Sequence, residues 1–255
     1  MTRYKEISNA LLPLVGVAIL LVVWALVNGL KLVDPVLLPS PAATFKTLWE
    51  GMVGGKLGVD FMKTVMRTIS STAIAAVIAI PLGILLGSSE KLYRSVEFLI
   101  DFFRSTPASA MFPLFLVLFG VGDRTKISVA AFGAGLVILF NVAYGVMNAR
   151  KTRLLAAKVM GASKLRVLFD VMLLESLPQT FVGLRNGVSL ALVIIVVAEM
   201  FIGSVDGLGQ RVFEAQQLFD MPGMYAAIFA AGALGYTLNL LFLLIERRFV
   251  HWAGR

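Results

Sequence analysis

Glu199 is the one ionisable side chain in "NGVSLALVIIVVAEMFIG", residues 186–203, a run otherwise apolar enough to cross a hydrocarbon layer. A carboxylate at such depth is a functional candidate by default, because it is costly unless paired or wet. It can reach the headgroups beyond Gly203, form an ion pair with Arg67, or line a gate in a translocation pathway. A second candidate is Arg104, Ser105, Thr106 and Pro107 in "FRSTP". Pro107 frees backbone groups that can line a water-filled cavity. The simpler alternative is a kink from which Arg104 extends to the headgroups.

Other chemistries are missing. There is no cysteine, so no disulfide, thiolate metal site or cysteine nucleophile. The single histidine, His251, and Ser189 have no evident companion for acid–base or nucleophilic work. No G-x-x-x-x-G-K-[ST] is present, and "GVGDRTK" and "GASK" have the wrong spacing to cradle phosphates. The net charge of +8 comes without basic blocks interleaved with aromatics, which argues against nucleic acid. The chain reads as non-catalytic, with no metal site and no cofactor of its own.

The elements that must carry these residues follow from composition. Hydrophobic residues make up 58% of the 255 and charged residues only 15%. A soluble domain carries about 25% charge, so this is an integral membrane protein. Charge-free runs at residues 11–27, 68–86, 127–146 and 225–245 are each long enough to span, and 186–203 spans with Glu199 inside it. Residues 95–121, polar at first and broken by Pro107 and Pro113, predict an interfacial helix running into a bent span. The expectation is an all-α protein of six transmembrane helices. The first run has no small-x-small cleavage site after it and reads as a retained anchor rather than a signal peptide.

With the opening segment cytoplasmic, 15 of the 23 Lys and Arg fall on inner segments and 8 on outer ones. The positive-inside rule therefore puts both termini in the cytoplasm. The first outer loop holds "LLPSPAATFKTLWEGM", in which Pro41 opens an amphipathic helix along the interface. Residues 1–63 are read as an anchor helix plus this outer helix, and residues 64–250 as the core. The methionines Met111, Met160 and Met172 read as packing residues. Gly83 and Gly87 in "PLGILLG" let helix backbones approach, within the subunit rather than at a dimer seam.

The longest inner segment, about residues 147–185, is wet but patterned. Leu154, Leu155, Lys158 and Val159 have helical spacing, Gly161 interrupts, and Leu165, Leu168, Phe169 and Met172 form a second stripe. Pro178 is expected to end that helix. Such a pair either packs on the protein's own helix ends or docks into another protein.

"AAKVMGASKLRVLFDVMLLESLPQTFVGLR" resembles the cytoplasmic coupling loop of ATP-binding-cassette (ABC) importer permeases, whose signature is E-A-A-x-x-x-G. Ala156, Ala157 and Gly161 match it, Leu177–Pro178 and Gly183–Leu184–Arg185 match its downstream L-P-x-x-x-x-G-L-R, and Leu155 stands where the family has Glu. "LLPSPAATFKTL", "FRSTPASAMFPLFLVLFGVGDRTKI" and the segment from Val196 to Arg248 are similar to the subgroup importing nitrate, bicarbonate, taurine and alkanesulfonates. The resemblance covers Pro39 to Arg248. It implies a type I ABC importer permease fold in a bacterial inner membrane, with Leu155, Ala156, Ala157, Lys158, Gly161, Ala162 and Leu165 at the ATPase contact. It also implies two copies of a cytoplasmic ATPase that bind ATP and Mg, a second copy of the permease, and an external binding protein delivering a small anionic solute. By the same resemblance, Arg104 to Pro107 lie beside the pathway. A stand-alone channel or secondary transporter would place interrupted helices and ionisable groups near the midplane, whereas these spans are nearly charge-free.

Overall fold

The computed structural model describes the backbone of residues 2–250 and the side chains of residues 14–150 and 152–250. His251 and the other residues of the C-terminal end lie outside the described residues, as do the side chains of Arg3 and Lys5. Eleven α-helices follow in chain order, with no strand among the described residues: α1 (Thr2–Gly29), α2 (Pro41–Val53), α3 (Leu57–Gly87), α4 (Glu90–Ser105), α5 (Phe112–Phe119), α6 (Asp123–Met147), α7 (Lys151–Val159), α8 (Lys164–Val167), α9 (Leu173–Phe201), α10 (Leu208–Gln217) and α11 (Met221–Phe249). A short 3-10 turn, Ala108–Met111, joins α4 to α5, and a π turn, Leu168–Met172, joins α8 to α9.

Helices α3, α6, α11 and the continuous α8–α9 rod, Lys164–Phe201, are long and apolar enough to cross a membrane. The pair α4 and α5 makes a fifth crossing if counted as one span, bent by 93°. The sequence predicted that bend, and the prolines explain it: Thr106 closes α4 in extended conformation, and Pro107 has no N–H to continue it. The described apolar part of α1, Leu14–Gly29, is shorter than a span by itself.

Helix α6 is the axis of the core. Val129, Ala130, Ala134, Ile138, Val142 and Ala143 on it are fully buried. Small residues let its neighbours come close. A Cβ on Gly83 or Gly87 of α3 would collide with Val142 or with the Ala143 carbonyl, and a Cβ on Gly183 or Gly187 of α9 with Asn141 or Ile138. The G-x-x-x-G of α3 is therefore an intrachain seam, as the sequence predicted. The contacts also fix direction: α3 runs parallel to α6, and α9 antiparallel. A second cluster packs α11 through Ala226, Ala227, Ala230 and Leu234 onto Leu57, Val188, Leu192 and Leu208.

Helix α2 starts where the sequence placed it, with the Ser40 hydroxyl accepting from the Ala43 N–H at 3.2 Å and Pro41 in the first turn. Trp24 of α1 donates to the Pro39 carbonyl at 2.9 Å and stacks on Phe229 with ring centroids 5.6 Å apart, which ties α1 to α2 and α11. Helix α3 begins at Leu57, ahead of residue 64, so the anticipated division at 63/64 falls inside a continuous helix.

Two local expectations are corrected. Pro178 does not end a helix: it lies inside α9. Its ring crowds the carbonyl four residues earlier and removes one donor. The preceding turn is π-helical, and such local adjustments absorb a proline within a span. Met160 is not a packing residue; it is 80% exposed at the tip of α7.

Candidate functional site

Candidate residues gather in three places along the spans. At one end, the N-terminal parts of α3 and α6 and the C-terminal end of α9 converge on Arg67. This guanidinium is 4% exposed and meets three carboxylates: Glu199 at 2.8 Å, Asp123 at 2.8 Å, and Asp206, whose carbonyl also accepts from it at 3.0 Å. Glu199 is fully buried. Its oxygens also lie 2.9–3.0 Å from the Thr64 hydroxyl and accept from the Gly209 N–H at 3.0 Å. The structure thus gives Glu199 the Arg67 partner that the sequence suggested.

The same cluster holds the start of α10. Three successive backbone N–H groups donate to side chains of the spans: Gly207 to Asp60 at 3.0 Å, Leu208 to Thr64 at 2.9 Å, and Gly209 to Glu199 at 3.0 Å. These are the unsatisfied donors of a helix N-terminus, and acidic partners suit its dipole. Arg211 returns from α10 to Asp60 at 2.6 Å, and Lys126 donates to Ser204 at 2.8 Å. Gly207 has φ +113°, and a Cβ there would fall onto the Glu199 carboxyl, so glycine is required twice over. Four acids (Asp60, Asp123, Glu199, Asp206) and, through Arg211, a fifth (Glu214) face four bases (Lys63, Arg67, Lys126, Arg211), so the charges largely neutralise one another. Among the described residues no group of His, Cys, Asp or Glu is arranged to hold a metal. The arrangement ties three spans to one connecting loop.

Sequence reading found Arg67 and Glu199 but missed Asp60, Thr64, Asp123, Lys126, Asp206 and Arg211. A signal existed for part of it: Asp60, Thr64 and Arg67 share one helical face at spacings of four and three. The contacts of the loop with α3 and α6 had none, since they join residues 78 to 151 positions apart.

The second place is the bend between α4 and α5. A cavity of about 340 Å³ is lined there by Phe103, Arg104, Thr106, Pro107, Phe132 and Leu190, among others. The Arg104 guanidinium carbon lies 3.9 Å from the Phe140 ring centroid, a cation–π contact, and Asp101 is 3.5 Å away. The Thr106 hydroxyl donates to the Phe102 carbonyl at 2.9 Å, closing α4, and Ser105 is exposed beside it. This is the only cation among the named wall residues.

The third place is the opposite end, where α7 and α8 form the helical pair read from sequence. Gly161 has φ +79° and open space around it, while Gly161 N–H reaches Lys158 and Ala162 N–H reaches Ala157, each at 3.0 Å. That pattern is a Schellman helix stop, which favours glycine. Ser163 then caps α8, accepting from the Arg166 N–H at 3.3 Å. Leu155, Ala156, Lys158 and Leu165 are exposed, with Val159 at 88% and Ala162 half-buried. Ala157 departs from expectation: it is 7% exposed and turned into the chain, so its small side chain serves the α7 contact with the following helix. An Arg153–Glu175 ion pair fastens α7 to α9.

Comparisons with known proteins agree with this architecture. Residues 79–252 match the family described as binding-protein-dependent transport system inner membrane component. A putative ABC transporter permease protein of Methanocaldococcus jannaschii is 32% identical over 92% of this chain and 89% of that protein. The taurine transport system permease protein TauC of Escherichia coli is 28% identical over 99% and 93%. The nitrate import permease protein NrtB of Synechocystis is 28% identical over 92% and 87%. Among solved structures, the inward-facing MetNI methionine ABC transporter superposes with a TM-score of 0.69 at 23% identity, covering 78% of this chain and 98% of that one.

Proposed function

From the premise that this chain belongs to the family of binding-protein-dependent transport system inner membrane components, we propose that it is the permease subunit of an ATP-driven importer for a small anionic solute. A separate external protein delivers the solute, and two copies of a cytoplasmic ATPase, which carry the ATP and Mg, drive alternating access through the α7–α8 pair. The observation that carries this reading is the position of that pair. It projects apolar side chains (Leu155, Val159, Met160, Leu165) into solvent at the end of the spans away from the closed charge cluster. Exposed apolar surface rimmed by Lys158, Lys164 and Arg166 is what a docking helix offers a partner's groove. Leu155, Ala156, Lys158, Gly161 and Leu165 would meet the ATPase, with Ala157 and Ala162 supporting them from within.

The α4–α5 bend supports the pathway. Arg104 sets a cation beside a cavity of about 340 Å³, with Thr106 and Pro107 in its wall and Ser105 between them and Arg104 in the chain, and an anion crossing hydrocarbon depth gains from such a group. Relatives named for taurine and nitrate support oxyanions as the substrate class. Alternating access needs two halves, so two copies of the chain would pair. The Arg67–Glu199 end would face outward and the α7–α8 end the cytoplasm, with both termini cytoplasmic in a bacterial inner membrane. Helices α1 and α2 would be the anchor and outer helix, and the chain from α3 onward the core. Glu199, locked to Arg67, would hold the outer ends together rather than touch solute.

The test is affinity purification of the tagged chain with the ATPase and binding protein expressed from the same genome. Proteoliposomes of the complex are then offered taurine, ethanesulfonate, nitrate and bicarbonate with internal or external ATP. Uptake of one of these anions that requires ATP and binding protein supports the reading. A chain that purifies without ATPase and conducts alone would overturn it in favour of a channel or secondary transporter.

A further inference from the structure

Asn186 is a polar side chain inside a membrane span whose hydrogen-bonding capacity is unspent. It lies on α9 and is exposed, and among the described residues nothing donates to or accepts from its carboxamide. The other asparagine at this depth, Asn141 of α6, contrasts with it. Asn141 donates to the Val137 carbonyl at 2.8 Å and accepts from Gln179 at 2.9 Å. An unpaired amide in hydrocarbon costs several kcal/mol in order of magnitude, so a polar group on a span faces a wet cavity or a partner.

Its position selects the cavity. Leu190, one helical turn further along the same face of α9, lines the cavity that holds Arg104 and Thr106. The antiparallel register fixes depth: Gly183 lies against Asn141 and Gly187 against Ile138, so Asn186 is level with Ile138 and Leu139, next in sequence to Val137 of the cavity wall. Arg104 packs on the ring of Phe140, close to the same depth. Asn186 is therefore one helical turn of α9 from the cavity wall at Leu190, near the depth of its cation. A carboxamide offers two N–H donors without charge, which suits an oxyanion that must be released again.

We propose that Asn186 contacts the translocated anion and, with Arg104, forms the point in the pathway that discriminates among oxyanions. This rests on reading the chain as an anion-importing permease. The test uses the complete complex in proteoliposomes, with the wild type and Asn186→Asp, Asn186→Gln and Asn186→Leu. Uptake of nitrate and ethanesulfonate, solute-free ATP hydrolysis and the number of permease copies per complex are measured together. The expected result is that Asn186→Asp lowers uptake at least about tenfold by placing a like charge in the path, with ATP hydrolysis and copy number unchanged. Asn186→Gln should retain uptake but change the nitrate-to-ethanesulfonate ratio. Equal uptake and an unchanged ratio in all variants would overturn the proposal. So would loss of the second copy in Asn186→Leu, which would place Asn186 at a subunit interface. If the wild type imports neither anion, the reading of the chain as an anion importer fails and this proposal falls with it; if the wild type imports but the variants match it, only Asn186 is excluded.

Discussion

Arg67 and Glu199, 132 residues apart, form an ion pair of 2.8 Å in which the guanidinium is the hub and the carboxylate one of its three acidic partners. That inequality sets the first prediction. Arg67→Met leaves the buried Glu199 with no cation and removes the nearer of two cations from Asp123 and Asp206, whereas Glu199→Gln leaves Arg67 two acids. Arg67→Met should cost about 3–5 kcal/mol, the range for breaking a buried pair, and Glu199→Gln distinctly less. The double variant should be little worse than Arg67→Met alone, because the interactions are shared. Thermal stability of the detergent-solubilised protein reads this out, and a Glu199→Gln variant as unstable as Arg67→Met would refute the hub.

Gly207 and Gly161 both have positive φ, but only one is crowded. A Cβ at Gly207 falls on Glu199, while one at Gly161 meets nothing within 4 Å. Gly207→Ala should therefore sharply lower membrane abundance. Gly161→Ala should cost only about 1–2 kcal/mol of local strain. Comparable loss of abundance in both would mean the cluster tolerates displacement.

Gly161→Asp tests the docking turn without touching the fold. Aspartate tolerates the left-handed conformation better than most residues, and the space around it is open. The variant should reach the membrane at normal abundance yet fail to import. Normal import at normal abundance would exclude close approach of an ATPase to this turn.

Leu155 is exposed where the family has Glu, and Val159 continues its stripe one turn on. Held by apolar contact, an ATPase should resist high salt, because screening weakens exposed charge pairs much more than buried apolar area. Leu155→Glu should be tolerated but make retention salt-sensitive. ATPase remaining on the immobilised permease across a salt series measures it. Dissociation of the native complex at moderate salt would exclude this account of Leu155.

Gly83 and Gly87 lie directly against α6. Gly83→Leu should force α3 off that helix, and the protein should fail to accumulate even as a monomer. Normal monomer accumulation with loss of dimers would move the seam to the subunit boundary.

The membrane class, the bent α4–α5 crossing and the helix–Gly161–helix pair were legible in the sequence, because each depends on properties of neighbouring residues. Apolar run length decides spanning, Pro107 decides the bend, and Gly161 decides the turn. The same local view misjudged Pro178, since whether a proline ends a helix within a span depends on how the surrounding turns relax, as the π turn at Leu168–Met172 does. It misplaced Ala157 and Met160 as well, because the side of α7 that faces the chain is set by where α9 lies. The Arg67 cluster shows the limit most clearly. Glu199 was conspicuous as a charge in an apolar run and Arg67 could be guessed from depth. Asp60, Thr64, Asp206 and the Gly207, Leu208 and Gly209 N–H groups joined Arg67 and Glu199 only when α3 and α9 packed side by side against α6. Helix periodicity specifies which face is apolar, but only packing decides which charges at the ends of the helices must neutralise one another.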